Sequence, residues 1–109
     1  MPSNQDRTER WLFDLAVNLD HAAELVGRGH AAYDTDLALR LAFEALCNRV
    51  GDLAKRLIAA DESRFAHPIW RQAARNRDFG VHYYDRVDEQ ALWVTVAVSF
   101  PELRLHLEE

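Results

Sequence analysis

The feature that most constrains this chain is a helical period that runs almost from end to end. Apolar side chains recur at intervals of three and four, the spacing that places them on one face of an α-helix. The strict alternation of a half-buried strand is almost absent. Trp11, Leu15, Leu19, Ala22 and Val26 form the first row, widened by Leu12, Ala16 and Ala23. They predict a helix over residues 5–26, with Gly27 and Gly29 as stop signals because glycine enters the left-handed cap conformation cheaply. Tyr33-Asp34-Thr35-Asp36 offers N-cap side chains to a second helix. Its rows, Leu39-Ala42-Leu46-Val50-Leu53-Leu57 and Phe43-Cys47-Ala54-Ile58, make an arc wide enough to touch more than one neighbour. Gly51 lies inside that helix at a cost of ~1 kcal/mol relative to alanine, which a close helix–helix approach offsets. The helix is expected to end near residue 60.

Pro68 suits the first turn of a third helix, and Trp70, Ala73, Ala74, Arg77 and Val81 follow at helical spacing. Asp88 is a fitting N-cap for a fourth helix carrying Leu92, Trp93, Val96 and Ala97. Ser99-Phe100-Pro101-Glu102 reads as a capping box that opens a short last helix with Leu103, Leu105 and Leu107. The expected fold class is all-α: an up-and-down four-helix bundle with a short extra C-terminal helix, in one domain over residues 1–109.

Composition narrows the class further. A chain of 109 residues that is 49% apolar and 28% charged can bury a core, which excludes intrinsic disorder and collagen-like repeats. Cys47 is the only cysteine, so no disulfide closes within the chain and a reducing compartment is expected. No run reaches the ~18 apolar residues of a membrane span, and the polar first residues lack a secretory h-region. These features predict a soluble cytoplasmic protein with no membrane partner. A net charge of −5 argues against coating nucleic acid by charge alone. Yet the stretch from Arg64 to Arg86 holds five arginines against two acids, Asp78 and Asp85. A solvated cationic helix face explains such a run. So does phosphate contact, for which the planar guanidinium is better shaped than lysine.

Residues able to do chemistry are few. Neither a Gly-rich phosphate loop nor a nucleophile elbow is present. Cys47 falls on the apolar face of the second helix and reads as a core residue. The histidines His21, His30, His67, His82 and His106 lack the paired spacing of zinc ligands. Asp78, His82 and Asp85 would share one helical face, a pattern that more often orients an imidazole than binds a metal. Neither metal nor cofactor is expected. His21, His30 and His106 read as solvent-facing, Tyr33 and Tyr83 as surface or interface aromatics, and Trp11 and Trp93 as core or dimer contacts. The string Arg75-Asn76-Arg77-Asp78-Phe79-Gly80-Val81-His82-Tyr83-Tyr84 combines arginine, histidine, carboxylate and phenol. Phosphodiester cleavage needs such groups: a proton carrier working near pH 7 and fixed positive charge beside the phosphate. A polar helix end with His82 bonded to Asp78 accounts for the same string.

Arg77, His82 and Tyr84 together match R-x4-H-x-Y, and the flanks add to it. His67-Pro68-Ile69-Trp70-Arg71 resembles a shortened H-P-x-x-P-W-R segment. Arg49-Val50-Gly51-Asp52-Leu53 is similar to an I-G-E-A-A stretch, and Phe100-Pro101-Glu102-Leu103 to an L-P-x-L ending. In this order the segments resemble the HepT-like family, small helical proteins of the HEPN class. The resemblance implies a metal-independent endoribonuclease, the toxin of a type II or type VII-like toxin–antitoxin module. It implies a homodimer whose cleft is lined from both protomers, RNA ends left as 2′,3′-cyclic phosphate, and a nucleotidyltransferase antitoxin. His82 would be the general acid/base, Arg77 the phosphate clamp, and Tyr84 a substrate-positioning residue or the acceptor of AMP. Asp78 stands where the family often has Asn, and Arg75-Asn76 offers an alternative start to the motif. A non-catalytic partner subunit of a minimal nucleotidyltransferase, or a structural dimer with a decayed motif, is the competing reading. On a straight helix Arg77 and His82 point ~140° apart, which predicts a break or bend between Gly80 and Asp85.

Overall fold

The computed structural model describes residues 3–76 and 88–107. Among these residues the chain is helical and contains no strand. Helix α1 spans Asn4–Val26, α2 His30–Thr35, α3 Leu37–Ala60, α4 Pro68–Asn76, α5 Glu89–Val94 and α6 Phe100–His106, with a π-helical turn, Thr95–Ser99, joining α5 to α6. Asn4 Nδ2 donates to the carbonyl of Ala60 at 3.1 Å, so α1 and α3 run antiparallel. Glu89 meets Arg40 near the start of α3 and His106 meets His67 beyond its end. The α5–α6 rod therefore runs alongside α3 in the same sense, and antiparallel to α1 and α4. This is the expected up-and-down bundle, with α1, α3, α4 and the α5–α6 rod as its four members.

The helix starts follow from capping chemistry. Ser3 accepts from the Asp6 amide at 3.0 Å and Asp6 accepts from the Ser3 amide at 3.2 Å, a capping box on α1. Asp36 caps α3 by accepting from Ala38 at 2.9 Å. His67 Nδ1 accepts from the Ile69 amide at 3.1 Å ahead of Pro68, whose missing N–H costs nothing in a first turn. Asp88 accepts from Ala91 at 3.0 Å and opens α5, as the sequence predicts.

Three local features differ from expectation. Ser99 is not a cap: its φ of −70° and ψ of −36° are helical and its side chain makes no capping bond. The chain passes through it without a stop, in the wide π turn, and the Phe100 amide bonds the Thr95 carbonyl. The cause lies at Pro101, which has no N–H and whose ring crowds the carbonyl four residues back; a widened turn relieves that clash. Between α1 and α3 the chain does not simply loop but forms α2, too short to show a period. Gly27 is right-handed at φ −61° rather than left-handed. Among the described residues only Gly29 takes positive φ, at 98°, where a side chain would be strained.

The core is one cluster. Leu15, Leu19 and Ala22 from α1 meet Phe43, Val50, Ala54 and Leu57 from α3, Trp70 and Ala73 from α4, and Leu92, Val96, Phe100 and Leu103 from the last rod. Gly51 is buried mid-helix in α3. Cys47 belongs to the core, and burial pushes its thiol up to about 12, so it is not a thiolate at neutral pH. Among the described residues no helix is long and apolar enough to cross a membrane.

Candidate functional site

Arg77, Asp78, His82 and Tyr84, together with the expected break between Gly80 and Asp85, lie outside the described residues. The structure does describe the elements that flank that segment in the chain. Upstream is α4. Its Trp70, Ala73 and Ala74 are buried, and Trp70 packs edge-on to Phe65 at 4.8 Å between centroids. That burial fixes the rotation of the helix about its axis. Arg75 consequently points to solvent in the last turn, where a cation offsets the negative end of the helix dipole. Asn76 is half-buried and lines a shallow cleft with Gln72 from α4 and Ser99 and Glu102 from the last rod.

Downstream is the first turn of α5, tied to α2 and α3 by a dense polar set. Tyr33 Oη donates to the Glu89 carbonyl at 2.6 Å. Arg40 Nε lies 2.6 Å from Glu89 Oε2, an ion pair rather than an aligned hydrogen bond. Arg40 Nη1 donates to the carbonyls of Tyr33 at 3.0 Å and Asp34 at 2.9 Å, closing the C-terminal end of α2. Gln90 Nε2 donates to Asp34 Oδ1 at 3.1 Å, while its Oε1 lies 2.8 Å from His30 Nε2. Oε1 can only accept, so the His30 proton in this contact sits on Nε2.

Beneath these bonds lies an aromatic cluster. His30 stacks on Trp93 with centroids 4.5 Å apart, and Trp93 stacks on Phe43 at 5.8 Å. Tyr33 sits against Phe43 at 4.8 Å and Trp93 at 5.3 Å. One of these residues differs from its sequence reading. Tyr33 is wholly buried, not a surface aromatic, and burial beside Glu89 pushes its phenol up to about 12. His30 is exposed as expected, although one face of its ring stacks on Trp93. His106, also expected in solvent, packs against His67 at 4.3 Å. His21 is exposed as expected.

Sequence reasoning missed Tyr33, Arg40 and Gln90 as anchors. Their partners lie far along the chain, up to 60 residues away, so no local spacing marks them. Two open grooves between α1 and α3, lined in part by Arg49, contain no candidate residue. Among the described residues no group of three or more His, Cys, Asp or Glu side chains could hold a metal ion.

No curated protein and no solved structure matches the chain. A family profile described as ribonuclease HepT-like matches residues 15–109, which takes in the arginine–histidine–tyrosine motif, its two anchors and nearly the whole bundle. A match of that extent, on a helical bundle of the expected class, shows that this chain belongs to the HepT-like ribonuclease family.

Proposed function

We infer that the protein is the toxin of a two-gene toxin–antitoxin module of type II or type VII-like organisation, and that it cleaves RNA as a cytoplasmic endoribonuclease. The observation that carries this reading is the family match over residues 15–109, which spans the motif Arg77, His82 and Tyr84. In the proposed reaction the 2′-hydroxyl of RNA gives its proton to His82, and the freed oxygen attacks the adjacent phosphorus. The bond to the 5′-oxygen breaks and that oxygen takes up a proton. The products are a 2′,3′-cyclic phosphate and a 5′-hydroxyl. Imidazole suits both proton transfers near pH 7, and Arg77 clamps the phosphate as charge builds on it. Tyr84 positions the strand, with Asp78, Arg75 and Asn76 in support.

The working unit in this reading is a homodimer with both motifs at one cleft. Exposed apolar pairs one helical turn apart support an interface: Phe13 and Val17 on α1, and Leu37 and Leu41 on α3. A nucleotidyltransferase antitoxin neutralises the toxin by AMP transfer. The Tyr84 hydroxyl attacks the α-phosphorus of ATP, pyrophosphate leaves, and the added phosphate repels RNA. Asp78, a carboxylate beside the proposed phosphate site, favours a second reading: a non-catalytic partner subunit of a minimal nucleotidyltransferase.

A cleavage assay in EDTA, with product ends analysed, separates the two. His82→Ala and Arg77→Ala are each expected to lower the rate by about 10² or more, and the products to end in cyclic phosphate. Absence of cleavage by protein shown by mass to be unmodified at Tyr84 would select the second reading.

A further inference from the structure

We propose that the outer face of α4 is a phosphate track that leads an RNA strand into the candidate site, with Arg71 and Arg75 gripping its backbone. The proposal rests on the ribonuclease reading and extends it from the reacting phosphate to that phosphate's neighbours. With Trp70, Ala73 and Ala74 turned into the core, α4 leaves Arg71, Gln72 and Arg75 exposed. The sequence of Pro68–Asn76 contains no acid, in a chain that has 18 acids against 13 lysines and arginines. The outer face of this helix therefore carries two cations and no acid of its own, with Glu62 its paired acid from the preceding loop, a local exception to an acidic molecule.

Arg71 and Arg75 are one turn apart on the same side of the helix, ~6 Å along its axis. Successive phosphates of an extended strand are spaced on the same order. Arg75 makes no ion pair or hydrogen bond among the described residues. Arg71 is tied to Glu62 at 3.2 Å, but both side chains are largely exposed, at 59% and 77%. An exposed pair of this kind contributes little and exchanges readily for a phosphate, which a guanidinium holds by two hydrogen bonds. The helix dipole accounts for a cation in the last turn, at Arg75; it does not account for Arg71, in the middle of α4. Along α4 the order is Arg71, then Arg75, and Arg77 is the next cation in the sequence.

The test is fluorescence anisotropy with a labelled single-stranded 2′-O-methyl RNA, which has no free 2′-hydroxyl to react. Wild type is compared with Arg71→Gln/Arg75→Gln and with a control pair off α4, Arg10→Gln/Arg28→Gln, between about 50 and 200 mM salt. Each phosphate contact on a single strand contributes about 0.7 to the slope of log affinity against log salt. The α4 double variant is expected to bind with a slope about 1.4 shallower, and the control pair with the wild-type slope. All four positions are exposed, so circular dichroism melts should be unchanged. An unaltered slope in the α4 variant overturns the track, as does wild-type protein that binds no RNA. A parallel cleavage assay keeps the two ideas apart. Cleavage with an unaltered slope leaves the ribonuclease and removes the track, whereas a shallower slope without cleavage does the reverse.

Discussion

Tyr33 shows how far a residue's role can depart from its sequence setting. It stands in a polar string, His30–Thr35, yet it is fully buried and its hydroxyl donates to a backbone carbonyl. Tyr33→Phe leaves the Glu89 carbonyl without this donor, and a loss of about 1–3 kcal/mol is expected. Urea unfolding would read it directly. Tyr33 and Cys47 also set an alkaline limit. Both are neutral when protonated, and both hold their protons more tightly in the folded state, at about 12 against ordinary values of 10.0 and 9.0. Their contribution is complete below about pH 9 and is lost as pH rises towards 12, because the unfolded chain releases those protons first. Cys47→Ala should move the onset of the decline from near pH 9 to near pH 10, read from urea midpoints across pH. The motif Arg77, His82 and Tyr84 was legible because its members are neighbours in the chain. Tyr33 and Arg40 were not, because their roles depend on Glu89, which only folding brings near.

At the scale of elements, long periodic helices were readable almost to the residue. The rows starting at Trp11 and Leu39 predicted α1 and α3, observed as Asn4–Val26 and Leu37–Ala60. Short elements were not. Six residues in α2 span under two turns, too few to define a period. The Ser99 box failed for a different reason: Ser99 lies inside one continuous rod, where the preceding turn already satisfies the backbone. A pair of substitutions checks this contrast. Asp36→Ala removes a real cap and is expected to cost ~1 kcal/mol. Ser99→Ala removes no capping bond and should stay within ~0.5 kcal/mol. Equal losses would contradict the assigned geometry. At Gly29, alanine must adopt a φ of 98°, so Gly29→Ala is expected to cost ~1 kcal/mol or more although the space around it is open.

For the whole molecule, the decisive contacts join segments remote in sequence. Arg40 bridges the end of α2, its own helix α3 and the start of α5. Arg40→Ala strands Glu89 and two carbonyls, and a loss of about 2–3 kcal/mol is expected. Hydrogen exchange should then quicken first at the amides of Glu89–Val94 and only later within α3. Arg104 with Asp20 and Arg64 with Glu9, both at 3.2 Å, close the α1 side by exposed pairs that contribute little by comparison. By itself the sequence determined the fold class, the two long helices, the cap at Asp88, the short string that holds the cap Asp36, and the family motif. Each of these is set by spacing along the chain, which helical geometry converts directly into a face or an end. Only the tertiary structure decided that Tyr33 is core, that His30 stacks on Trp93 and meets Gln90, that the last rod runs through Ser99, and that both arginines of α4 stay in water. Those outcomes depend on which surfaces meet once the helices pack, and burial, unlike helical period, is a property of neighbours that no single segment contains.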